Sequence, residues 1–151
     1  ACPGGPERCG GVQRLAHDGV EVPERARIPG VHEEARAAVP ERHRDFLAAL
    51  PSHHEQGALL FVHAGIRPGV PLQAQTEDDK IWIRHEFLDD TRPHPWLVVH
   101  GHTHVPSAEH RGNRVNLDSG AGFGRPLSAA VFEGKDCWLL SDRGRKSIGS
   151  A

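Results

Sequence analysis

Two stretches of this chain combine residue types and spacing that could do chemistry. The first is Val62-His63-Ala64-Gly65, which follows the apolar run Ala58–Val62. The second is Gly101-His102-Thr103-His104, which follows Trp96–Val99. A histidine at the mouth of an apolar strand is held by rigid backbone, and glycine beside it lets backbone and ligand approach closely. His residues at i and i+2 of an extended segment point the same way. Splayed slightly by a loop, they could meet two different ions of a close pair. Two-metal sites hold ions about 3.5–4 Å apart and clamp the attacking and leaving oxygens of a phosphoryl transfer. His63 is placed to add a third imidazole if its strand lies beside that of His102. The competing reading is structural, and it is strong for a lone histidine after a strand. It is weaker for Gly-His-x-His, where two rings would be desolvated with no return. His100 alternates with His102 but lies inside the strand and is read as structural. His32, His43, His53 and His54 sit in polar surroundings and are read as solvated.

The elements that must carry these loops are legible. Ala58–Val62 and Trp96–His100 read as buried strands, because they are continuous apolar runs ending in turns. Strands are also expected over 114–120, 127–134 and 136–142, the last two a hairpin around Glu133-Gly134-Lys135. Thr76-Glu77-Asp78-Asp79 resembles a helix N-terminal box, with carboxylates at the positive helix end. The run KIWIRHEFLDD is expected to follow as one helix of about three turns, stopped by Pro93 and Pro95. Earlier, 11–19 reads as a short amphipathic helix and 31–39 as a helix. Pro40 breaks or restarts the latter, which runs on to Leu50 with Phe46, Leu47 and Leu50 as its apolar stripe. The fold class is therefore α/β, helical in the first third and strand-rich after residue 58.

Composition bounds the rest. The 151 residues hold 18 Lys plus Arg against 20 Asp plus Glu, a net charge of −2, which argues against a nucleic-acid partner held by bulk charge. No apolar run approaches the roughly 18–20 residues of a membrane span. No signal peptide is visible, and the chain is read as cytoplasmic. Three cysteines exclude a disulfide-stapled scaffold; Cys2 and Cys9 read as reduced thiols. Twelve histidines stand out, since histidine is the commonest metal ligand. Residues 1–10 are expected to be a disordered lead and 143–151 a flexible tail. The start Ala1-Cys2-Pro3, without Met, reads as a piece of a longer chain.

The segments FVHAGIRPGVPL, IWIRHEFL, VVHGHTHVP and RVNLDSGAGFGRPLSAAVFEG together resemble the C-terminal half of bacterial serine/threonine protein phosphatases, members of the calcineurin-like metallophosphoesterases. The resemblance is strong over 57–134 and weaker but collinear over 10–56. It implies a two-sheet α/β sandwich with a dinuclear site at the strand ends, residues 11–142 being the C-terminal portion of that domain. The family's ligand motifs are Asp-x-His, Gly-Asp-x-x-Asp-Arg-Gly, Gly-Asn-His-Glu, a histidine like His63, and Gly-His-x-His. Only the last two occur in this sequence. By the resemblance, His63 and His102 would bind the second metal and His104 the first; many phosphatases of this branch have another residue at the last position. Arg84 matches the phosphate-clamping arginine of a Trp-x-Arg motif, the alternative being an exposed arginine paired with Asp79 or Glu86. Asp118, in Leu-Asp-Ser-Gly, would hold a ligand histidine or a loop and would not itself ligate metal. Arg67 could guide substrate or be a plain loop charge.

The implied reaction is metal-dependent hydrolysis of phosphoserine or phosphothreonine in a phosphoprotein or phosphopeptide. The implied cofactor is a pair of divalent ions, Mn²⁺ with Fe or Zn as alternatives. Without the carboxylate motifs this chain is expected to hold at most one ion and to be inactive or nearly so. Two other readings stand beside it. One is a dinucleoside polyphosphate hydrolase of the same superfamily. The other is a non-catalytic module binding one metal through its histidines. An amidohydrolase is distant, since its His-x-His opens a barrel of about 250 residues.

Overall fold

The structure is a computed structural model that describes Glu33 and residues 36–149. The expected lead over 1–10, the helix over 11–19, Cys2, Cys9, His32 and most of the 31–39 helix lie outside the described residues. The chain divides into two units, residues 1–50 and 51–151.

In the first unit, α1 spans Glu41–Ala48, with Pro40 at its N-cap. Proline suits that position, because its missing N–H is not needed in a first turn. The expected apolar stripe forms but is uncovered: Phe46, Leu47 and Leu50 are all exposed.

The second unit is built on a five-stranded sheet, β1 (His53–Gln56), β2 (Leu59–Val62), β3 (Leu97–His100), β4 (Glu109–His110) and β5 (Arg114–Asn116), in the order β1-β2-β3-β5-β4. The central strands β2, β3 and β5 are parallel, and both edge strands pair antiparallel. Strand alternation sends the two halves of the apolar runs to opposite faces. Leu60, Val62 and Val98 pack with Ile83 and Phe87 on one side. Leu59, Leu97 and Val115 pack with Cys137 on the other. The second face is covered by a three-stranded antiparallel sheet, β6 (Ala130–Glu133), β7 (Asp136–Ser141) and β8 (Gly144–Ser147). Phe61 meets Phe132 edge to face across that layer at 5.9 Å. Among the described residues no helix is long and apolar enough to cross a membrane.

Two expectations need correction. The run 80–90 is not one helix. It is α2 (Glu77–Trp82) and α3 (His85–Leu88), separated by an extended Ile83. The Lys80 carbonyl, which a continuous helix would give to the N–H of Arg84, instead accepts from Ala64 N at 2.8 Å. Docking the helix on the loop after β2 therefore takes one rung from its ladder. Thr76 does cap α2, accepting from Asp79 N at 3.0 Å. His53 and His54, read as solvated, lie on the edge strand β1 with His54 exposed, and Gly57 at φ +58° sits in the turn that returns the chain to β2. The other is the expected flexible tail, which is paired over Gly144–Ser147, where β8 lies beside β7.

Candidate functional site

The site forms where β2 and β3 end side by side. Their pairing continues past the strands, with Gly101 N donating to His63 O at 2.9 Å. This locks the two histidine loops together. His63 Nε2 lies 3.2 Å from His102 Nδ1, with ring centroids 5.0 Å apart. One ring donates to the other, so both cannot be imidazolium in this contact. The proton affinity of His102 is lowered, first by burial, then by the charge of Arg84 and by His63, against an opposing pull from Asp118. His102 Nε2 is buried and has no hydrogen-bond partner. A buried nitrogen without a partner is costly in a fold and marks a place where a ligand atom would fit.

Backbone strain shapes the loop. His102 is the one non-glycine among the described residues at positive φ, +65°. Such a conformation costs on the order of 1–3 kcal/mol and clusters at functional sites. It also bears on the alternation expected between His102 and His104. The i, i+2 rule holds for extended backbone, and a left-handed residue breaks the alternation. The structure brings His63 and His102 together. His104 is exposed, and its ring lies against Phe123 at 5.3 Å.

Arg84 reaches the same loop from the helical side. The break at Ile83 makes it the N-cap residue of α3, and its guanidinium donates to Thr103 Oγ1 at 3.2 Å. It pairs with neither Asp79 nor Glu86. Asp79 is taken by Arg67 through two bonds of 2.6 and 3.2 Å, which tie the Arg67 loop to α2. Asp118 Oδ1 accepts from Gly120 N at 2.9 Å, and a Cβ at Gly101 would meet Asp118 Cβ at 3.2 Å. It therefore shapes the turn and lies against the histidine loop, without a hydrogen bond to either ring.

One residue that holds this loop carried no signal in a motif reading. Asn116 is buried, donates to Thr103 O at 2.8 Å and accepts from Asp118 N at 2.9 Å. A polar side chain inside the apolar run RVNL was the available clue, because a buried amide must find partners.

These groups do not amount to a metal centre. A catalytic zinc takes three protein ligands and a dinuclear site more. Here two imidazoles converge, and among the described residues no group of three or more His, Cys, Asp or Glu side chains is placed to hold an ion. What the arrangement offers by itself is anion recognition. A guanidinium can share two hydrogen bonds with a tetrahedral oxyanion, beside imidazoles that donate or accept.

No protein-family model matches the chain, and no curated protein does. Among solved structures it is similar to one described as a "putative diadenosine tetraphosphatase", at 23% sequence identity and a TM-score of 0.60, over 85% of this chain and 61% of that one. The chain thus spans about three-fifths of that protein's length. At that identity the likeness is one of fold, which in this chain is a five-stranded mixed sheet layered with a three-stranded antiparallel sheet.

Proposed function

We propose that this chain carries the strand-end half of a metal-dependent phosphoesterase site. The observation that carries the reading is the 3.2 Å contact of His63 with His102 at adjoining parallel strand ends, with Arg84 bonded to the same loop through Thr103. In this reading Arg84 binds the phosphoryl oxygens, and the two imidazoles face the reacting centre. His104, exposed and two residues on, lies on the same loop. The substrate class is a dinucleoside polyphosphate; the fold neighbour's description supports it over a phosphoserine or phosphothreonine protein. Hydrolysis by this class of site needs carboxylate ligands. The 151 residues contain no Asp-x-His, Gly-Asp-x-x-Asp-Arg-Gly or Gly-Asn-His-Glu to supply them.

Two outcomes follow. Given Mn²⁺ and p-nitrophenyl phosphate, the chain gives no turnover above background. Robust turnover that disappears in His102→Ala would show that it holds a complete centre. Inorganic tripolyphosphate, by contrast, binds, and calorimetry on Arg84→Ala shows an affinity loss of about 10- to 100-fold, the range for a charge-assisted hydrogen bond. Unchanged affinity in that variant would remove Arg84 from the site.

A further inference from the structure

Two exposed aromatic rings stand against the histidine loop and have no part in phosphate binding. Trp82 is 45% exposed and meets the His102 ring nearly perpendicular, centroids 5.6 Å apart. Phe123 is 63% exposed and meets the His104 ring. Each is followed two residues later by an arginine, in Trp82-Ile83-Arg84 and Phe123-Gly124-Arg125. Neither arginine is in an ion pair among the described residues. Arg84 is bonded to Thr103, and Arg125 lies across Gly120, where a Cβ would meet its Cδ at 3.1 Å. Each half of the site thus pairs an aromatic ring left open to solvent with a guanidinium lacking a carboxylate partner. Large exposed rings beside a polar centre mark ligand contact, since covering them is favourable.

We infer that Trp82 and Phe123 are stacking platforms for the two bases of a dinucleoside polyphosphate, whose phosphate chain runs past Arg84 and Arg125. The inference rests on the phosphoesterase reading above and deepens it, naming what holds the ends of the substrate. Base stacking on an aromatic side chain is tolerant of base identity, because every base offers a π-face. A phosphoserine peptide brings one oxyanion and no pair of planar rings, so it leaves both platforms empty.

Calorimetry on the full chain with diadenosine tetraphosphate and with inorganic tripolyphosphate tests this. The dinucleotide is expected to bind about 5- to 100-fold more tightly than tripolyphosphate. Trp82→Leu and Phe123→Leu, both at exposed positions, each lower dinucleotide affinity about 5-fold or more and leave tripolyphosphate affinity unchanged. The inference is overturned if the dinucleotide binds no more tightly than tripolyphosphate, if neither variant affects it, or if a phosphoserine peptide binds more tightly than either. In those cases Arg84-dependent binding of tripolyphosphate still upholds the phosphoesterase reading. Failure of both probes to bind sinks the two together.

Discussion

Gly65→Ala should destabilise the second unit by about 3 kcal/mol or more, the largest effect expected of a methyl added at any glycine among the described residues. Gly65 follows the His63 loop at φ +152°, and a Cβ there would meet Phe87 Cγ at 2.7 Å and Cε1 at 2.8 Å, with Cδ1 closer still. The obstacle is not a flexible tip. Phe87 is fully buried in the core beneath the sheet, with Leu60, Val62 and Val98. It also lies on α3, three residues after Arg84, so pushing the ring away moves the helix that presents the guanidinium. Urea unfolding measures the loss. The double variant Gly65→Ala with Phe87→Leu should recover part of it, because the two changes share one contact. A cost under about 1 kcal/mol for Gly65→Ala would mean the loop after β2 is not packed on Phe87.

Acid should remove a comparable amount of stability through His100. This ring sits at the end of β3, buried, edge to face with Phe87 at 5.0 Å, and its Nε2 has no partner. Burial lowers its pKa from 6.5 to about 4; Arg114 adds to that, while Glu109, Asp118 and the Gly101 carbonyl pull the other way. Between those two values the unfolded chain binds a proton that the folded chain refuses. The stability is therefore whole above pH 6.5, declines as pH falls, and levels off below about pH 4. The interval corresponds to about 3 kcal/mol. His94, which stacks on the other side of the Phe87 environment at 5.8 Å, is lowered in the same direction by burial and adds to the slope. Unfolding free energies of the wild type and His100→Leu, measured from pH 7.5 to pH 4, separate the His100 share. Parallel curves would contradict it.

The parts of this fold that the sequence made legible are those fixed by local pattern. Leu59–Val62 and Leu97–His100 are continuous apolar runs, and only a buried strand suits them in so short a length. The hairpin at Gly134-Lys135 follows from turn residues between two strand patterns. The parts that were not legible depend on partners distant in sequence. His53–Gln56 is polar, as an edge strand can be, and only its pairing with β2 makes it a strand. The break at Ile83 exists because Ala64, nearly twenty residues earlier, takes the Lys80 carbonyl. The site divides the same way. His63 and His102 were readable as a pair, because both follow strands that lie side by side. The positive φ of His102 was not, since no spacing rule foresees it. Asn116, Trp82 and Phe123 read as ordinary strand, helix and loop residues until the fold placed them around the histidine loop.

The central claim is that His63, His102 and Arg84 form one anion-recognition site. Imidazole ¹H–¹⁵N spectra recorded during a tripolyphosphate titration test it most directly. The ring signals of His63 and His102 are expected to shift together along one binding curve, while those of His53 and His54 stay still, and Arg84→Ala is expected to suppress the shift. Ring signals of His63 and His102 that remain unmoved, or that titrate with different midpoints, would contradict it.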